Sequence, residues 1–179
     1  MRHRDLSLGL LLLAGSAAAQ EYVISTFAGG ASLPTPIPAL DAPIGTPTAV
    51  WGDAADNIYF IGLNAVFKLD GHGVITRVAG NSRQGFSGDG GAAPDAQLRI
   101  YWWFSPVNGL TARDGSLYIA ESSRVRKIDR TGNIGTVAGG GNPADGLGDG
   151  GPATAASVNP QGIAAGADGS LYIAAWDRV

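Results

Sequence analysis

The chain has 179 residues, about one domain's length, with 45% hydrophobic residues, 15% charged residues and a formal net charge of -3. It carries 28 glycines and 10 prolines, which excludes a helical bundle, because a glycine in a helix interior costs about 1 kcal/mol. No Gly-X-Y period marks a collagen, and the chain is too apolar for disorder, which leaves many short strands joined by glycine turns.

The first residues read as an export signal. Arg2, His3 and Arg4 form a short basic region, an apolar run follows over 6–14, and Ala17-Ala18-Ala19 offers small residues for cleavage before Gln20. The run is too short for a membrane span, which needs about 20 apolar residues. Residues 1–19 are therefore expected to be a signal peptide, and the rest a secreted or periplasmic chain. No later segment could span a bilayer. The sequence has no cysteine, so disulfides, a lipid-anchoring cysteine and thiolate metal sites are excluded. Residues 20–179 hold 10 basic and 14 acidic side chains, a net charge of -4, which gives no support to a nucleic-acid partner.

The remaining chain repeats itself. Thr26-Phe27-Ala28-Gly29-Gly30 returns as Arg77-Val78-Ala79-Gly80-Asn81 and as Thr136-Val137-Ala138-Gly139-Gly140. Asn57-Ile58-Tyr59-Phe60 returns as Ser116-Leu117-Tyr118-Ile119 and as Ser170-Leu171-Tyr172-Ile173. The offsets run from 51 to 59 residues, the period of propeller blades or repeat arrays. Residues 22–30 predict a single strand of the fourth type. The first unit predicts strands over 48–54, 57–63, 65–70 and 74–80; the second over 107–113, 116–122, 124–130 and 133–139. Asp114-Gly115 predicts a type I′ turn, which needs positive φ at both central residues. Four antiparallel strands per unit predict a β-propeller blade. The second strand is apolar at successive positions, as in Tyr118-Ile119-Ala120, which predicts burial on both faces between neighbouring blades.

The strings Ser116-Leu117-Tyr118-Ile119-Ala120-Glu121 and Arg124-Val125-Arg126-Lys127-Ile128-Asp129, with the following Gly-Asp-Gly-Gly, resemble the NHL repeat of six-bladed β-propellers. The resemblance covers residues 22–179. It departs at Gly62-Leu63-Asn64 and at Ala175-Trp176-Asp177, where an acidic strand end belongs. The fold class expected is all-β, a partial propeller of about two and a half blades plus one N-terminal closing strand. Six blades would need about 330 residues, so the chain is expected to be the N-terminal part of a longer protein, incomplete at its C-terminus. A part-ring exposes apolar blade faces, so residues 20–179 alone are expected to self-associate.

Three features of the face that carries the interblade connections could hold chemistry. The first is the loop pair Gly85-Phe86-Ser87-Gly88-Asp89-Gly90-Gly91 and Gly146-Leu147-Gly148-Asp149-Gly150-Gly151. Carboxylates and loop carbonyls suit a hard cation, so Asp89 and Asp149 are candidate calcium ligands, although EF-hand spacing is absent and a structural loop is the stronger reading. No other cofactor is implied. The second is the insertion with Tyr101, Trp102, Trp103 and Phe104, which suits a sugar or an anchoring partner, against packing over the next blade. The third is Glu121, expected to cap its turn or to join the aromatics in a site. His72 lies in a turn on the opposite face, and no Ser/His/Asp set assembles. Arg124, Arg126, Lys127 and Arg130 read as a solvated outer strand that discourages edge pairing.

The expected function is a non-enzymatic module that binds a protein or carbohydrate ligand. One alternative, implied by similarity to gluconolactonase-like propellers, is a metal-dependent lactonase or lyase. Its ligands would converge on the channel, where the inner strands offer Asp53 and Asn108. The other is an architectural module of a larger extracellular protein.

Overall fold

The computed structural model describes residues 33–100, 109–175 and 178–179. The signal peptide expected over 1–19, the strand expected over 22–30 and the aromatic run Tyr101 to Phe104 lie outside the described residues. The chain is all-β, a partial β-propeller of four-stranded antiparallel blades. The first sheet contains β1 (Ile37–Pro38), β2 (Ala49–Gly52), β3 (Ile58–Gly62), β4 (Ala65–Leu69) and β5 (Val74–Ala79), in the order β1-β5-β4-β3-β2. The second runs β6 (Leu110–Arg113), β7 (Ser116–Glu121), β8 (Arg124–Ile128), β9 (Ile134–Gly139), in that order. The third unit contributes β10 (Gly162–Ala165) and β11 (Leu171–Ala174). Among the described residues no helix is long and apolar enough to cross a membrane.

Hairpin chemistry sets the registers. Asp114 and Gly115 adopt φ of 49° and 71°, as a type I′ turn requires, and pair Arg113 with Ser116. Strands β2, β4 and β8 stop short of the sequence expectation because Asp53, Asp70 and Asp129 leave the ladder to build turns. Asp70 Oδ1 accepts the amides of His72 and Val74, and Asp129 Oδ1 those of Thr131 and Asn133. Such Asx turns compete with strand pairing. The Thr131 hydroxyl, which donates to Asp129 Oδ1 at 2.7 Å, together with these amides holds Asp129 below the usual aspartate range, and the Val74 and His72 amides do the same for Asp70. The short strand β1 was not expected. Pro38 is tolerated because β1 is an edge strand, and Ala39 N–H extends the pairing to the Gly73 carbonyl at 2.8 Å.

Alternation along the strands divides the core in two. Ile61 and Val66 on one face of the first sheet pack with Leu110, Leu117, Ile119, Ile128 and Ile134 of the second. The connection supplies Ala93, Ala96, Leu98 and Ile100 to the same cluster. Phe60, Phe67 and Ile75 on the other face pack with Leu33. Strand β7 is buried on both faces, as expected of a sheet between two blades. Strand β3 meets that expectation only in its second half, with Ile58 41% exposed, and in β11 Tyr172 is 50% exposed. These strands lie in sheets without a full neighbour on each side among the described residues.

Connection and blade meet backbone to backbone at Gly80. Its φ is +82°, and a Cβ there would lie 2.5 Å from the Asn64 carbonyl oxygen and 2.7 Å from the Ala65 Cα. Gly80→Ala is expected to destabilise the chain by about 2–4 kcal/mol in urea unfolding, summing left-handed strain and overpacking. Gly71→Ala, with no atom within 4 Å of its Cβ position, is expected to stay within about 0.5 kcal/mol.

Candidate functional site

Two arrangements stand out around the interblade connection. The first is a hollow beside the turn that joins β3 to β4. Leu63 and Asn64 make this turn with φ of 52° and 53°. Asparagine tolerates the left-handed region through its short polar side chain, whereas leucine is strained there by roughly 1–2 kcal/mol. Strain of this kind gathers at ligand sites. The loop before β2 packs alongside, with Thr48 N–H donating to the Ile61 carbonyl at 3.0 Å. Gly45 comes so close that a Cβ would stand 2.8 Å from Leu63 Cδ2. The hollow measures about 340 Å³ and is lined by Gly45, Thr46, Thr48, Gly62, Leu63, Asn64 and Ile100. Thr48 Oγ1 and Asn64 Oδ1 are buried with no hydrogen-bond partner among the described residues. A buried polar atom without a partner is costly and rare. Ile100 brings the connection into the wall of the hollow, and Tyr101 follows it directly in the chain.

The second arrangement is a cluster of charge around a buried arginine, with Glu121 buried and Asp89 partly exposed. Arg126 sits in the middle of β8 opposite Ile119, on the face turned to the connection, and is 0% exposed. Its Nη2 pairs with Asp89 Oδ1 at 2.6 Å and donates to the Ser87 carbonyl at 3.0 Å. Its Nη1 donates to the Gln97 carbonyl at 3.0 Å and lies 3.6 Å from Glu121 Oε1. Asp89 Oδ2 accepts from Thr136 Oγ1 at 2.7 Å and from the Thr136 amide at 3.2 Å. Glu121 Oε2 accepts the Arg99 amide at 3.2 Å. Phe86 closes the outside, with the Arg124 guanidinium 3.5 Å from its ring centre, a cation–π distance.

These contacts overturn two expectations. Arg126 is no part of a solvated strand, because its alternate-face position points it under the connection instead of into water. Arg124 is half-buried on Phe86, and only Arg130 of the four cations is exposed. Glu121 does not cap its turn; its carboxylate is 1% exposed and aims inward at Arg126. The fold brings Glu121 and Asp89 together across Arg126, while Asp149 stands apart on the next connection, exposed. Both Asp89 oxygens are occupied by Arg126 and Thr136. Among the described residues no three Asp, Glu or His side chains gather in a cluster able to hold a metal ion. Thr48 and Asn64 were missed by sequence reading, as were the strained Leu63 and the buried state of Arg126.

The electrostatics follow from burial. Burial pushes the Glu121 carboxyl above the usual glutamate range, and the Arg99 amide, Arg126 and Arg124 offset only part of that. At Asp89 partial burial acts upward too, but the Thr136 hydroxyl, the Arg126 charge and its hydrogen bond outweigh it, and the net displacement is downward.

The first sheet solves the same contact differently. Phe67 occupies the Arg126 position, paired across to Phe60 as Arg126 is to Ile119. Thr35 stands in for Asp89, its Oγ1 accepting the Arg77 amide at 3.3 Å as Asp89 accepts that of Thr136. Phe67 is 0% exposed and stacks on Phe60 at 5.4 Å.

No family model and no curated protein matches the chain. Among solved structures it is similar to a structural-genomics protein of unknown function from Bacteroides thetaiotaomicron, with 28% identity and a TM-score of 0.55 over 69% of this chain and 31% of that one. More distant likenesses are a streptogramin B lyase (16% identity, TM-score 0.44, 76% of this chain and 36% of that one) and an auxiliary nutrient binding protein from the same Bacteroides (13%, 0.49, 69% and 33%). The chain thus spans about a third of the length of the structures it matches.

Glu121 gives the cluster a pH signature. A carboxyl whose folded pKa is raised keeps its proton longer in the folded chain than in the unfolded one. Its contribution is therefore most favourable below the usual glutamate range and declines as pH rises through that range to the raised value. Glu121→Gln removes this decline. The stability of the variant relative to the parent is expected to rise with pH across the carboxylate range and then level off, read from urea midpoints at successive pH values. A pH-independent difference would show that Glu121 titrates alike folded and unfolded.

Proposed function

We infer that this chain belongs to a secreted, NHL-type β-propeller that binds a hydroxyl-rich ligand, a carbohydrate above all, on its connection face without transforming it. The hollow carries this reading. Two buried oxygens, Thr48 Oγ1 and Asn64 Oδ1, have hydrogen-bonding capacity that the described chain leaves unused. Leu63 and Ile100 add apolar wall beside them. A sugar ring offers this combination, with hydroxyls for the two oxygens and C–H faces for the leucine and isoleucine. Tyr101, Trp102, Trp103 and Phe104 follow Ile100 in the chain, and aromatic faces complement sugar C–H faces at low cost in conformational entropy. The signal peptide over 1–19 supports export to a compartment where free glycans are met. Glu121, Asp89 and Asp149 hold no ligand role in this reading; the first two belong to the cluster around Arg126. Protein ligands with exposed hydroxyl-rich loops are the second class the surface suits.

A glycan array probed with the chain is expected to identify binders. Titration of one binder should then separate two variants. Thr48→Val, nearly isosteric, removes one hydrogen bond and is expected to weaken binding by about tenfold. Trp102→Ala with Trp103→Ala is expected to abolish binding while the circular dichroism spectrum stays that of the parent. Unchanged affinity in both variants would contradict the reading, and so would catalytic turnover of the bound sugar.

A further inference from the structure

A slot of about 340 Å³ lies between the first two sheets, at the end where β2 turns into β3 and β6 into β7. The hollow beside Leu63 and Asn64 lies at the other end of β3, so the two are separate. Both sheets that wall the slot carry all four strands of a blade. One wall is Trp51 and Tyr59, cross-strand partners on β2 and β3. Their ring centres stand 5.7 Å apart and their planes meet at 49°. A cation can therefore lie within about 6 Å of both centres, the range of a cation–π contact. Ala112 and Leu117 of the second sheet add an apolar wall.

Three charged side chains line the slot: Asp53, Asp114 and Arg113, two carboxylates against one guanidinium. Arg113 is already engaged, its Nε with Asp114 Oδ2 at 3.1 Å and its Nη2 with the Ala167 carbonyl. The lining thus sums to one negative charge, carried by Asp53. Asp53 Oδ1 accepts the amides of Ala55 and Asn57, each at 2.9 Å, and Oδ2 accepts Asn57 Nδ2 at 2.8 Å. The Asn57 side chain above all, then these amides, holds Asp53 below the usual aspartate range, so the charge is present at neutral pH.

The second sheet fills the same positions from within. By register Tyr118 corresponds to Tyr59, Thr111 to Trp51 and Arg113 to Asp53. Lys127 Nζ stands 5.8 Å from the Tyr118 ring centre, and Arg113 reaches the third unit at Ala167. Lys68 pairs with Tyr59 as Lys127 pairs with Tyr118. Yet among the described residues no lysine or arginine stands over Trp51 or Tyr59. The second sheet supplies its own cations; the first presents two rings and a carboxylate.

We propose that the slot binds a quaternary ammonium group, the trimethylammonium head of a small solute, with Trp51 and Tyr59 as its aromatic faces and Asp53 as its counter-charge. A quaternary nitrogen carries no N–H and asks for no hydrogen-bond acceptor, and both Asp53 oxygens already have donors. A primary ammonium would give up its hydrogen bonds to water and find those acceptors occupied. An uncharged group of the same shape would gain apolar contact alone.

The test titrates the full chain in a calorimeter with choline, ethanolamine and 3,3-dimethylbutan-1-ol. Choline is expected to bind saturably, with a Kd of about 1 mM or tighter. Ethanolamine, which keeps its N–H groups, and dimethylbutanol, which keeps the shape without the charge, should each bind at least tenfold more weakly. Asp53→Asn should weaken choline binding at least fivefold, and Trp51→Thr, which copies the second sheet, at least tenfold. Trp102→Ala with Trp103→Ala should leave choline affinity within twofold. Absence of saturable choline binding overturns the proposal, as does equal affinity for dimethylbutanol or for ethanolamine. Loss of choline binding in the Trp102 and Trp103 variant, with Trp51→Thr unaffected, places the rings elsewhere and overturns it too. If Trp51→Thr fails to fold, the three solutes on the parent chain and on Asp53→Asn decide the question.

Discussion

The two blades with a described third strand depend on fixing the connection that runs over them, and one position in that strand adds side-chain contacts to backbone bonds such as Gly90 N–H to the Ile134 carbonyl at 2.7 Å. At that position the side chain points beneath the connection, where no water reaches. Arg126 meets the requirement with charge: two carbonyls and two carboxylates surround its guanidinium. Phe67 meets it with area and a stacked ring. Burying an ion pair gains little over a well-packed apolar group of similar volume, because desolvation offsets the attraction. The two solutions can therefore coexist in one chain at comparable stability. They are not interchangeable piecemeal, since removing Asp89 or Glu121 leaves the fully buried Arg126 guanidinium with one carboxylate fewer, and a buried charge that loses its partner is costly.

The charged solution also determines where the candidate site stands. Arg126 holds the connection at Ser87, Asp89 and Gln97, and Glu121 holds it again at the Arg99 amide. The next residue, Ile100, is buried in the core between the first two sheets and walls the hollow. The chain reaches the hollow at a fixed point because the preceding residues are clamped. The aromatic run starts from that point. The Arg126 cluster thus fixes the approach to Ile100 while none of its members lines the hollow.

The fold was legible because its signals are local. Asp-Gly turns, paired apolar runs and the recurrence of Ala-Gly at the end of the fourth strand each name a blade edge, and alternation names the buried faces. The strand ends were less legible, because Asp70 and Asp129 look like strand residues until their side chains are seen to accept turn amides. Arg126 was misread for a physical reason. Three arginines and a lysine within seven residues resemble a solvated strand, and burial of one of them depends on a carboxylate 37 residues away in sequence. The signal that could have found it was the repeat itself, since Phe67 at the same position is too apolar for a solvated face. Thr48 and Asn64 carried no such signal. They are ordinary loop residues, and only packing leaves their oxygens buried without a partner among the described residues.

The Arg126–Asp89 and Phe67–Thr35 arrangements are alternative solutions of one contact, and a thermodynamic cycle tests that directly. Asp89→Thr, Arg126→Phe and the double variant are compared by urea unfolding, all in a chain carrying Glu121→Gln so that no second buried carboxylate is stranded. Each single change is expected to destabilise, and the double variant should recover about 1–3 kcal/mol relative to the sum of the two. Additivity within about 0.5 kcal/mol would contradict the account, because Asp89 and Arg126 would then contribute independently and the connection would be held by something else.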